Sequence, residues 1–234
     1  MSSEVHIRRE GAAGRITLTR PDALNALTHA MVLAIDRALC AWAEDPAVKV
    51  VVIDGLGPRA FCAGGDIAAL HASGRSGAYG RARAFWRDEY RMNDRIARFP
   101  VPVVAFMQGF VMGGGVGLGC HARHRIFGEP SRVSMPECSI GLIPDVGGTA
   151  ILARAPGRIG AYLGVTGART GPADSLLAGY GDHFIPEQRW EALKADLVAG
   201  AEDQQTVGRK DVAGNVDVTR QHVDGALFGR GGNA

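Results

Sequence analysis

The chain has 234 residues, 46% of them hydrophobic, enough to bury a sizeable core as one domain. Its 26 basic and 24 acidic residues are interspersed and leave a net charge of +2, which excludes the basic footprint of a nucleic-acid binder and favours small molecules or further copies of itself as partners. Cys40, Cys62, Cys120 and Cys138 show no CxxC spacing, no apolar run approaches the roughly 18 residues of a membrane span, and the N-terminus lacks a signal-peptide pattern, so we expect reduced thiols and a soluble cytoplasmic protein.

Val5 to Arg9 and Arg15 to Thr19 alternate apolar and polar residues around Gly11 and Gly14, which predicts a hairpin of edge strands. From Thr28 to Ala43, Met31, Ile35, Leu39 and Trp42 recur at helical spacing, and Asp45-Pro46 closes the segment. Val48 to Ile53 is an apolar, β-branched run of the kind buried on both faces of a parallel sheet. Phe61 to Asp66 reads as a small-residue turn into a helix from Ile67, with Asp66 as its cap. Ser73 to Gly80 is rich in Gly, Ser and Arg and predicts a mobile loop able to act as a lid, followed by a helix whose face is Phe85, Met92, Ile96 and Phe99, ending at Pro100. Val101 to Met107 predicts another buried strand, Gly113 to Cys120 a glycine-rich helix start, and Arg125 to Phe127 a further strand. Strand, glycine turn and helix thus occur twice in the same order, the pattern of successive ββα turns of a spiral. A helix from Glu187 to about Ala199 precedes a polar, Gly-rich stretch, 201–234, that reads as a weakly ordered tail.

The chemistry concentrates between Met112 and Gly148. A Met-Gly-Gly-Gly-Val-Gly run offers backbone N–H groups without side chains, and Glu137 and Asp145 follow as two carboxylates eight residues apart. Those are the parts needed to polarise a carbonyl and activate a water beside it. Each has a simpler reading: Ser134-Met135-Pro136-Glu137 fits a capping box, Asp145 a cap for a helix through Ile151, and Gly113 to Gly119 a close packing surface. Their joint occurrence favours the chemical reading. Gly55 to Ala60 matches GxGxxA, but Pro58 and the Phe-Cys-Ala-Gly-Gly continuation argue against a dinucleotide site. His121 and His124, without an acidic partner, read as solvated or hydrogen-bonded near a helix end rather than as metal ligands, and no Gly-x-Ser-x-Gly elbow occurs.

Pro21-Asp22-Ala23-Leu24-Asn25-Ala26-Leu27, the Phe61 to Asp66 turn and the Gly113 to Gly115 run resemble, in this order, the crotonase or enoyl-CoA hydratase/isomerase superfamily. Phe85 to Tyr90, Met112 to Gly117 and Met135 to Gly148 are most similar to its 3-hydroxyisobutyryl-CoA hydrolases. The resemblance implies an α/β fold, a spiral of ββα units with a C-terminal helical region, over residues 1–200. It implies an oxyanion hole from the N–H groups of Gly65 and Gly114, and an acyl-CoA held near Ala23, Leu24, Ala26, Ala63, Gly64, Asp66 and Ile67. The first hydratase glutamate matches Gly117 here, whereas the hydrolase pair matches Glu137 and Asp145. The implied function is therefore hydrolysis of a 3-hydroxyacyl-CoA in valine breakdown, with no metal or redox cofactor because CoA belongs to the substrate. Glu137 would act as general base or attack the thioester itself, and Asp145 would position the substrate hydroxyl or help shuttle the proton. A hydratase or isomerase using Glu137 alone, and a non-catalytic acyl-CoA binder, remain the alternatives. Trimers are common in the superfamily. Residues 201–234 do not resemble the helical region of the hydrolases, which leaves open a truncated, an altered or a naturally short C-terminal region.

Overall fold

The computed structural model describes residues 4–200. Strands β1 (Val5–Glu10) and β2 (Ala13–Leu18) form an antiparallel hairpin, and β2 then pairs in parallel with β3 (Val50–Gly55). Of these two strands β1 alone is therefore an edge, a correction to the hairpin of two edge strands: Ile16 and Leu18 have no exposure and belong inside a sheet. Helix α1 (His29–Ala43) joins β2 to β3, with the Thr28 hydroxyl accepting from Met31 N–H as its N-cap.

From β3 onward the chain builds successive turns. Strand β4 (Ala60–Cys62) follows β3, then α2 (Ile67–Arg75) and α3 (Tyr79–Ala97). The next turn is β5 (Val103–Met107), β6 (Phe110–Met112) and α4 (Gly114–Gly119). A third is β7 (His124–Phe127), β8 (Arg132–Ser134), a 3-10 turn over Glu137–Ile140 and α5 (Gly148–Arg154). The first strand of each turn joins a six-stranded sheet ordered β1-β2-β3-β5-β7-β9, where β9 is His183–Phe184. The second joins a three-stranded sheet, β4-β6-β8, parallel throughout. Helices α6 (Ile159–Thr166), α7 (Pro172–Leu177) and α8 (Trp190–Ala199) complete the described residues.

The large sheet is buried on both faces, as the β-branched run in β3 requires. Val51 and Ile53 face the main core with Leu39, Phe85 and Met107, while Val50 and Val52 face a second core closed by Trp190 and Leu197 of α8. Buried Lys194 pins α8 down, with Nζ 2.9 Å from Asp54 Oδ2 and 5.2 Å from the centre of the Phe106 ring. The predicted mobile loop over 73–80 is instead mostly helical: α2 runs to Arg75 and α3 starts at Tyr79, with Ser73 Oγ and Ser73 O both bonded within the connection. The polar tail expected over 201–234 lies outside the described residues.

Candidate active site

The 20–27 and 60–66 segments are stitched together by backbone. Ala63 N–H donates to Leu24 O, Leu27 N–H to Gly64 O, and Asp66 N–H to Leu27 O, at 2.8–3.0 Å. Asn25, fully buried with φ 55°, directs this: its Oδ1 accepts from Arg20 N–H and its Nδ2 donates to Leu56 O and Ala60 O. Leu24 shares the left-handed conformation at φ 51°, a strain that persists only where surrounding bonds enforce it. Asp66 caps α2, its Oδ1 accepting from Ala69 N–H, and its Oδ2 holds Arg20 at 3.1 Å.

Gly65 N–H and Gly114 meet across this stitch. A Cβ built on Gly114 would lie 3.2 Å from Gly65 N. Gly114 is the first residue of α4, so its N–H has no acceptor one turn back. Among the described residues, no backbone bond outside the regular elements uses either N–H. The α4 glycines also allow the close packing read from the sequence: a Cβ on Gly115 would collide with Cys62 O, and one on Gly117 would stand 2.7 Å from both Asn93 Nδ2 and Val146 Cβ.

Three carboxyls converge on this point. Glu137 is 6% exposed, with Oε1 2.6 Å from a Cβ built on Gly113. Burial and the nearby Asp145 charge push its pKa up to about 7. Burial also raises the pKa of Asp145, against the hydrogen bond it accepts from Tyr90 Oη at 2.8 Å. The third carboxyl is Glu89, which sequence reasoning missed. It is 2% exposed on the inner face of α3, its Oε1 has no hydrogen-bond partner, and burial with the charges of Asp145 and Glu137 pushes it up to about 8. Its signal in the sequence is a charged residue in register with Phe85, Met92 and Ile96 on a mostly apolar helix face.

A cavity of about 80 Å3 is lined by Ala63, Gly64, Gly65, Ile67, Glu89, Gly113, Gly114, Glu137 and Asp145. Its Leu70 and Phe85 also line a larger cavity of about 760 Å3 beside Leu27, Asp66 and Ala69. Ala23, Leu24 and Ala26 line neither of these two, though the stitch holds them alongside.

The simpler readings of the two carboxylates do not survive. The 3-10 turn at Glu137 has no side-chain cap, and buried Ser134 Oγ has no partner. The cap of α5 is Gly147, and the Asp145 side chain turns away to Tyr90. No helix follows Gly55 to Ala60 directly: Ala60 opens β4. His121 Nε2 bonds Val146 O at 2.7 Å, as a helix-end histidine would, but His124 is not solvated. It lies buried in β7, stacked on His183, and burial pushes it down to about 4. Among the described residues no group of three or more His, Cys, Asp or Glu is placed to hold a metal ion, and all four cysteines are free.

The chain is 45% identical to a mitochondrial 3-hydroxyisobutyryl-CoA hydrolase of Xenopus tropicalis over 84% of its own length and 51% of the relative's. It is 41% identical to 3-hydroxyisobutyryl-CoA hydrolase 1 of Arabidopsis thaliana over 83% and 51%. It thus spans about half the length of the curated relatives it matches. A crystal structure described as an enoyl-CoA hydratase from Rhodobacter sphaeroides 2.4.1 is 59% identical, with a TM-score of 0.84 over 96% of this chain and 65% of the other. One described as a carnitinyl-CoA dehydratase from Mycobacterium thermoresistibile is 40% identical, with the same TM-score over 95% and 66%. The frog, zebrafish, chicken and rat relatives are all named mitochondrial, which overturns the cytoplasmic placement expected from the sequence. The enoyl-CoA hydratase/isomerase family matches residues 13–225, and with the spiral of ββα turns and the paired glycine segments this establishes that the chain belongs to it.

Proposed function

We propose that the chain carries out hydrolysis of a 3-hydroxyacyl-CoA thioester, such as 3-hydroxyisobutyryl-CoA in valine breakdown. The observation that carries this reading is Gly117. A side chain there would run into Asn93 and Val146 at 2.7 Å, so the glutamate that hydratases place at this position has no room, while Glu137 and Asp145 border one cavity with Gly65 and Gly114. The names of the curated relatives support the same substrate.

Glu137 takes a proton from water as the water oxygen bonds to the thioester carbon. The resulting oxyanion receives the N–H groups of Gly65 and Gly114, whose lack of Cβ lets it approach closely. The C–S bond then breaks and the sulfur takes the proton back from Glu137, leaving the hydroxyacid and free CoA. A base titrating near 7 suits this work at neutral pH. Asp145 accepts from the substrate hydroxyl, and Glu89, protonated at neutral pH, donates within the same cavity. CoA lies along residues 23–27 and 63–70, and the reaction calls for no metal or redox cofactor.

Hydration of an enoyl-CoA by Glu137 alone is the second reading, favoured by the description of the 59% identical crystal structure. Release of thiol from 3-hydroxyisobutyryl-CoA, run beside hydration of crotonyl-CoA, separates the two. Thiol release without hydration supports the hydrolase, and hydration without thiol release supports the hydratase.

A further inference from the structure

We propose that Tyr90 and His121 are positioning residues that clamp Asp145 from two sides, an inference that rests on the reading of Asp145 as the group that holds the substrate hydroxyl. Asp145 sits in an irregular segment between the 3-10 turn at Glu137 and α5, next to exposed Leu142 and Ile143. Such a segment does not aim a carboxylate by itself.

The backbone after Asp145 is strained. Val146, a β-branched residue, has φ 47°, and Gly147 has φ 76°. A β-branched residue in the left-handed region persists only where its surroundings over-determine it. Here the Val146 side chain is 3% exposed and packs at Gly117, and its carbonyl bonds His121 Nε2 at 2.7 Å. A carbonyl only accepts, so Nε2 carries the proton in either charge state of the imidazole, and this side of the clamp does not depend on pH. Gly147 completes the fit, because a Cβ there would come within 2.5 Å of Nε2. His121 lies one residue past the Cys120 cap of α4, so the helix that presents Gly114 also anchors the carbonyl of Val146, the residue after Asp145.

The other side is Tyr90 of α3, whose hydroxyl donates to Asp145 Oδ2 at 2.8 Å. Tyr90 is 42% exposed and fills no core position. Asp145 faces Tyr90 and Glu89 on α3 and Glu137 on the 3-10 turn. His121 faces Arg125, Arg154 and Asp94. Against two neighbouring carboxyls, the phenol hydrogen bond favours the ionised form of Asp145, the form able to accept from a substrate hydroxyl.

The test compares Tyr90→Phe, His121→Ala and His121→Gln with the unaltered protein on 3-hydroxyisobutyryl-CoA and on isobutyryl-CoA, which lacks the hydroxyl. Tyr90→Phe is expected to lower kcat/KM for the hydroxylated substrate about tenfold more than for isobutyryl-CoA, the worth of one hydrogen bond to a charged group. The extra loss on the hydroxylated substrate grows as pH falls, because Asp145 without the phenol hydrogen bond protonates more readily. His121→Ala reproduces the loss of preference, and His121→Gln, which keeps an N–H donor, restores most of it. Equal losses on both substrates, unchanged with pH, overturn the clamp. If the unaltered protein releases thiol from neither substrate, the hydrolase reading fails, and the clamp is decided separately by NMR titration of the Asp145 carboxyl. An upward shift in Tyr90→Phe supports the clamp, and no shift overturns it.

Discussion

The Glu89 carboxyl and the α-carbon of Gly114 face each other so closely that a Cβ on Gly114 would lie 2.5 Å from Glu89 Oε1. The glycine therefore serves two neighbours at once, the unpartnered carboxyl on one side and Gly65 N–H on the other. Gly114→Ala is expected to reduce thiol release at least about 100-fold, the usual loss when one oxyanion donor is displaced. Steady-state kinetics beside a melting curve separates this from simple unfolding.

Glu89 is buried as the neutral acid, with its pKa at about 8. The unfolded chain releases that proton near 4.5, so the folded state binds one proton more across this window, and stability falls as pH rises from about 4.5 to 8. Glu89→Gln removes the dependence. The variant should melt close to the unaltered protein at pH 4.5 and be more stable at pH 8, by on the order of 4 kcal/mol. Melting curves at both pH values check the sign.

Glu137 titrates at about 7, and a base must be ionised to act. The rate of thiol release should accordingly rise through about pH 7 and fall above about 8, as Glu89 ionises and ceases to donate. Since the three carboxyls share one cavity, the two limbs belong to the cluster and shift together when any member is replaced. Glu89→Gln should remove the alkaline limb, which a pH series on that variant reads directly.

Away from the site, Asp54 is 5% exposed and bonded to Arg15 and Lys194, both at 2.9 Å. Burial alone would raise its pKa, but these cations and Thr17 hold it below the usual carboxylate range. Asp54→Ala takes the one buried anion from both cations, leaving Arg15 with the exposed Glu10 and Lys194 with the exposed Glu191, each at 3.0 Å, and should cost about 3 kcal/mol. Denaturant unfolding monitored by tryptophan fluorescence measures it, with Trp190 packed on Phe106 beside Lys194 as one of the reporters.

Periodic patterns found the long elements, and short or paired features escaped them. The β-branched run announced β3, although the strand runs from Val50 to Gly55, two residues later than read. Strands β4, β6 and β8 have three residues each, too few for alternation to register, so the second sheet was not foreseen and Phe61-Cys62 was read as a turn. Glu137 and Asp145 could be picked out as two carboxylates beside a glycine run, whereas Gly65 and Gly114 were singled out only through the resemblance to the family. Glu89 was not legible, since a carboxylate within a helical pattern ordinarily lies in water, and only the burial of its face reveals otherwise. The contact from Tyr90 to Asp145 spans 55 residues and exists only once α3 crosses the site.

The most direct measurement is the rate of CoA thiol release from 3-hydroxyisobutyryl-CoA by the unaltered protein and by Glu137→Gln, with substrate affinity and melting temperature recorded for both. A fall of about 1,000-fold or more, at similar affinity and stability, is the result predicted for a base that acts on the hydrolytic water. A variant that retains thiol release within tenfold of the unaltered protein would contradict the account.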